Sequence, residues 1–239
     1  MKMTDISPDE VIFWEWKWIN LNATILWTWI VMAFMVIGAW LITRNLSQGP
    51  KISRWQNLLE IIVDYTRDQI RQISHQSAGQ YLPFVGTLFL FIVVCNMLSI
   101  VPGYEPPTAS LSTTAALAIC VFVAVPIHGV LNQGAAGFLK HYIEPNVVML
   151  PFNLIGEFSR TLALAVRLFG NVMSGTKIAA ILLAIAPLFF PILMHALGLL
   201  TGLIQAYIFA VLAVVYIASG QETTGQKEKS NGEPSFPEA

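Results

Sequence analysis

Apolar positions in this chain fall in long unbroken runs rather than in short alternating stretches. Thr24 to Ile42, Leu82 to Val101 and Leu111 to Leu131 carry no charged residue. Each matches the roughly 20 residues that a helix needs to cross a hydrocarbon layer about 30 Å thick. Buried strands of that composition would be cut by turn signals within about 4 to 8 residues, so these runs predict three spanning helices. Two further runs, Val147 to Ala186 and Pro191 to Ser219, meet at the Pro-bounded corner APLFFP. As helices they would extend roughly 60 Å and 40 Å, too far to stand upright without pushing apolar surface into water. They predict a long, steeply inclined helical hairpin. Between the first two spans, Ile52 to Ile73 places Leu58, Leu59, Ile62, Ile70 and Ile73 at mostly helical spacing among charges, the pattern of an interfacial amphipathic helix. The predicted fold class is therefore all-α: a polytopic membrane protein with about five membrane helices plus one interfacial helix. An outer segment (1–23), a membrane domain (24–219) and an inner tail (220–239) divide the chain.

Composition agrees. Hydrophobic residues make up 55% of the chain and charged ones 11%, against about 25% charged in a soluble domain, which excludes a disordered or nucleic-acid-binding chain. The net charge of -1 supplies no field to attract phosphates. Distribution is more informative. If the five spans alternate, one side collects Arg44, Lys51, Arg54, Arg67, Arg71, Lys140, Lys227 and Lys229, the other only Lys2 and Lys17. Basic residues in short loops resist translocation, so the N-terminus is expected outside and the C-terminus in the cytoplasm. Trp14, Trp16 and Trp18 precede the first span, where amphipathic rings favour the outer headgroup zone. The opening MKMTDISPDE lacks the layout of a cleaved secretory signal, so the first apolar run is expected to be retained. Cys95 and Cys120 lie inside apolar runs and read as packing residues rather than a disulfide or metal motif. The tail from Gln221, with almost nothing apolar, cannot offset the entropy of ordering and is expected to be mobile.

The remaining basic residues, Arg160, Arg167 and Lys177, sit with Glu157 inside one long apolar run. A cation near the bilayer centre costs about 2.5 to 3.5 kcal/mol on insertion scales, so it marks a site facing protein or water. Arg160 and Lys177 can also be read as snorkelling to opposite interfaces, and Glu157 as pairing with Arg160 one turn away. Arg167, near the middle of the run, escapes that reading. Arg160 and Ser174, seven residues to either side, lie within about 20° of it on a helix, and Asn171 shares the stripe. Ala163, Ala165, Gly170 and Gly175 leave room for another helix or a file of water. Gln205, on the final helix, needs a partner for its amide, and the Arg167 guanidinium across the hairpin is the expected one. His195 is either a hydrogen-bonded histidine or a transport group; His128, beside Pro126 and Gly129, reads as structural.

The paired segments ALAVRLFGNVMSG (Ala163 to Gly175) and GLIQAYIFAVLAVVYIASG (Gly202 to Gly220) resemble subunit a of the F-type ATP synthase. Weaker similarity extends through FIVVCNMLSIVPGYEPPTASLSTTAALA, Phe91 to Ala118. The resemblance implies a static, non-catalytic subunit against a rotating ring of c subunits, each with one membrane carboxylate, in a bacterial plasma membrane. Peripheral-stalk b-type subunits and the soluble catalytic head are the other implied partners. Arg167 matches the family's essential arginine, whose fixed charge would favour ionisation of the passing carboxylate. It would also block a direct path between two offset half-channels. Asn171 and Gln205 match positions that could hold its guanidinium. No cofactor is implied, and no GxxxxGK[ST] motif provides a nucleotide site.

Three departures from the family pattern bear on the ion. Gly175 is followed by Thr176, where many members carry glutamate. Gly198 stands at the place of its usual histidine or acidic partner, with His195 nearly one turn away. PTASLSTT puts Ser110 and Ser112 where aspartate and asparagine are frequent. Outer half-channel candidates are thus Asn96, Glu105, Ser110 and Ser112; Glu157, Ser174, Thr176 and His195 join the ion-path candidates. Protons, carried by water and hydroxyls, are the first reading. Sodium held by clustered oxygens is the second, and no firm metal site is assigned. An independent carrier binding an anion at Arg167, or a membrane scaffold in which the arginine stripe only pairs with neighbours, are the alternatives outside this family.

Overall fold

A computed structural model describes residues 12–16, 19–44, 54–74, 78–101, 103–143, 149–185 and 190–219. The first described element is an antiparallel hairpin of β1 (Ile12–Trp16) and β2 (Ile19–Asn22), in whose backbone register Trp16 pairs with Ile19 and Trp14 with Leu21. Among the described residues six α-helices follow: α1 (Ala23–Thr43), α2 (Arg54–Ser74), α3 (Leu82–Leu98), α4 (Leu111–Ile143), α5 (Met149–Ile185) and α6 (Phe190–Ser219). The membrane part is helical as expected, and the hairpin adds to the all-α reading. Trp14 and Trp16 two residues apart have the period of a strand. Trp18 and the tail from Gln221 lie outside the described residues.

Among the described residues four helices are long and apolar enough to cross a membrane, over Ala23–Thr43, Leu111–Leu131, Pro151–Ile185 and Ile192–Ala218; Leu82–Leu98 is a shorter apolar fifth. This is a polytopic membrane protein. The second predicted run ends as a helix at Leu98 rather than Val101, because Pro102 disfavours helix before it. Ser99, Ile100 and Val101 instead close short turns onto Asn96, Met97 and Leu98. Helix α4 continues past its predicted span, but Gly134, at φ 75° and ψ 160°, breaks its helical path. Helices α5 and α6 have 37 and 30 residues, about 55 Å and 45 Å, so both exceed an upright crossing.

Apolar side chains face outward as well as inward. On α1, Trp29, Phe34 and Val36 are more than 60% exposed, whereas Val31 is fully buried, the pattern of a helix solvated by lipid on most of its circumference. The protein-facing core joins α3, α4, α5 and α6 through Ile92, Cys95, Val121, Leu164, Leu168, Ala206 and Phe209. A second cluster brings Ile70 of α2 against Val85 of α3 and Val214 and Ile217 of α6. Tyr207 donates to Gln69 Oε1 at 2.8 Å, tying α6 to α2. The amphipathic helix thus docks by one face.

Candidate ion-conducting site

Helix α5 carries Arg167 on its outward face. Its side chain is exposed, and among the described residues no acceptor or carboxylate is recorded with it. One turn on, Asn171 is half-buried and donates to Thr201 O of α6 at 3.3 Å. Ser174 Oγ, also exposed, donates to Asn171 O at 3.2 Å. Arg160 lies on the same stripe with its guanidinium 5.8 Å from the Tyr216 ring centroid, a cation–π distance. Arg160, Arg167 and Ser174 therefore share an exposed face of α5, with Asn171 at its edge turned towards α6.

Gln205 is buried on the packed face of α6, and its Nε2 has no partner among the described residues. The expected hydrogen bond between Gln205 and Arg167 is not formed. The reason lies in helix rotation: Arg167 points out of the bundle, while Gln205 points into it beside Ala206.

Beside this stripe, α3, α5, α6 and the loop after α3 enclose a cavity of about 430 Å³. Asn96, Asn171, Thr176 and His195 line it together. Asn96 is buried and donates to Gly202 O at 3.0 Å. Thr176 Oγ1 turns back to Met173 O at 2.9 Å. Tyr104 also lines the cavity; its Oη lacks a described partner, and burial, then the neighbouring Cys95, raises its phenol above the ordinary range.

Other candidates stand elsewhere. Ser110 Oγ accepts from Ser112 N–H at 3.2 Å and meets Ser112 Oγ at 2.6 Å, so this pair caps the start of α4. Glu105 sits in the loop off the cavity lining, with Oε2 buried and unpartnered among the described residues. Glu157 is half-buried two to three turns before Arg167, and its carbonyl accepts from Thr161 Oγ1 at 2.9 Å. His128 Nδ1 lies 2.9 Å from Ala124 O, with its ring against Tyr81, a structural setting. Among the described residues no three His, Cys, Asp or Glu side chains gather as a metal site.

Gly202 was not singled out from the sequence. A Cβ there would stand 2.8 Å from Asn96 Cγ and 3.0 Å from Nδ2, so only glycine admits the amide. The signal was present as Gly198 and Gly202 four residues apart, the small-residue spacing of close helix contacts.

Residues 25–218 match the family model described as ATP synthase A chain. The chain belongs to the ATP synthase subunit a family. It is 61% identical to ATP synthase subunit a 1 of Crocosphaera subtropica, over 93% of this chain and 97% of that one. To ATP synthase subunit a 2 of Acaryochloris marina it is 58% identical, covering 96% and 98%. To ATP synthase subunit a of Albidiferax ferrireducens it is 59% identical, covering 94% and 96%. Membership makes the chain part of an ATP synthase complex, an ion-transporting subunit of its membrane sector.

Proposed function

We propose that this subunit translocates protons between two offset half-channels, with Arg167 as the stator charge facing the carboxylates of a rotating c ring. The observation that carries the reading is the exposed Arg167 guanidinium in the middle of an apolar helix, recorded with no acid among the described residues. In lipid such a cation needs an anionic or aqueous partner. A ring carboxylate brought opposite it would be favoured in its ionised form and so release its proton. The guanidinium charge would repel a cation trying to pass directly. The cavity beside α5 forms the outer half-channel in this reading, and its lining amides and hydroxyls carry water-borne protons. Glu157 and Ser174 border the path to either side of Arg167. Peripheral-stalk b-type subunits hold the chain still, and the catalytic head is coupled through the ring. The membrane is the bacterial plasma membrane, with the N-terminus outside and the C-terminus in the cytoplasm.

Arg167→Ala in the assembled complex is expected to abolish ATP-driven ion pumping without reducing the amount of complex. Normal pumping in that variant would remove the assignment. Sodium is a second reading, favoured by one feature: the cavity lining contains amide and hydroxyl groups and no Asp or Glu. Reconstituted complex distinguishes the ions. Proton pumping independent of sodium and abolished by a protonophore is expected; sodium uptake that a protonophore stimulates would replace protons with sodium.

A further inference from the structure

Asn96 and Gly202 both line the cavity, and Cys95, next in sequence to Asn96, belongs to the packed core. The Asn96 side chain is 5% exposed, occupies the space that a Cβ on residue 202 would need, and donates to Gly202 O at 3.0 Å. Next to it Asn171 donates to the adjacent carbonyl, Thr201 O. Two amides, one from α3 and one from α5, thus grip consecutive carbonyls of α6. One to two turns further along the helices, Ile92, Leu168, Ala206 and Phe209 are each 0% exposed, a largely apolar layer that also buries Gln205 at 6% exposure and that water enters only at a cost. Asn171, by contrast, stands about 40° round α5 from Arg167 on the side towards the packed face. On α5 the cavity is lined by Asn171, one turn from Arg167, while Arg167 itself is not among its lining residues.

We propose that Asn96, wedged into the slot left by Gly202, is a positioning residue that seals the cavity from the core and directs ions past Asn171 to the Arg167 face. The sealing role rests on the reading of the cavity as a half-channel. Removing the wedge leaves a void lined by the Gly202 carbonyl, through which water reaches the buried cluster. Gly202→Ala alone drives a methyl against Asn96; combined with Asn96→Ala, the same methyl occupies part of the void.

The native Cys95 thiol, 0% exposed within that cluster, reports the breach. In Cys120→Ser complex in vesicles, a small water-soluble thiol reagent should label Cys95 at least about tenfold faster in Asn96→Ala than in the parent, since loss of a closed contact raises the local open population. Passive ion conductance of the membrane sector, stripped of its soluble head and normalised to assembled subunit, should rise in the same variant. Both should fall back towards the parent in Asn96→Ala/Gly202→Ala. Unchanged labelling and conductance in Asn96→Ala overturn the seal. So does faster labelling with no change in conductance, the result of a merely structural contact, or a double variant as leaky as the single one. Should Asn96→Ala fail to assemble, the double variant against the parent carries the test: parent-like values in both readouts support the wedge, and high values in either overturn it. Cys95 labelling does not require pumping, so it separates failure of the seal from failure of the stator reading, which the Arg167→Ala measurement decides.

Discussion

Position 110 carries a serine where the family often has aspartate, and the loss of a carboxylate there invites a reading in terms of ion conduction. Its hydroxyl instead receives the Ser112 N–H at the first turn of α4, a duty that aspartate performs equally well. Ser110→Ala is therefore expected to destabilise the assembled subunit by about 1 kcal/mol, and Ser110→Asp to preserve stability because a carboxylate also suits a helix N-terminus. Thermal inactivation of the purified complex measures both; equal loss in the two variants would contradict the capping role. Arg167 was legible from sequence because an intramembrane cation has few bland explanations. The Gln205 partnership was not, since residue spacing fixes direction around one helix but leaves the rotation between two helices open. Gln205 Nε2, buried without a described partner, shows the size of that gap: an unpaired buried amide costs about 1 to 3 kcal/mol.

Helix existence followed closely from the length of apolar runs, whereas helix ends followed from local chemistry that hydropathy ignores. The span Leu111–Leu131 and the two long helices stand where the runs place them. Helix α3 is shorter because Pro102 follows it, and α4 extends beyond its apolar run until Gly134 turns at positive φ, a conformation glycine adopts at no steric cost. Helix α2 was recognisable as amphipathic, yet its apolar residues serve two surfaces. Ile70 packs against α3 and α6, while Leu58, Ile61 and Tyr65 remain about half exposed. A moment along one helix cannot tell protein from lipid, since both accept apolar side chains. In the N-terminal hairpin, Trp14 and Trp16 suit an interfacial anchor by composition and a strand by their two-residue spacing.

At the scale of the whole molecule, the unequal distribution of basic residues is the support for the proposed orientation, on which the half-channel reading depends. Arg44, Arg54, Arg67 and Arg71 cluster around α2, whereas the loop between α3 and α4 contains Glu105 and no basic residue. Basic residues near span ends are retained on the cytoplasmic side, and the proposed orientation accordingly has the cavity and the Tyr104 loop outside and α2 inside. In a Cys95→Ala, Cys120→Ser background, a membrane-impermeant thiol reagent added to intact cells should label Val101→Cys and leave Arg71→Cys unlabelled. Both positions are exposed in the chain, Val101 at 52%, so accessibility rather than burial decides the result. Labelling of Arg71→Cys alone would invert the molecule. The polar cavity would then open to the cytoplasm, and ions would meet Arg167 from the opposite side, with the wedge at Asn96 guarding an exit in place of an entrance.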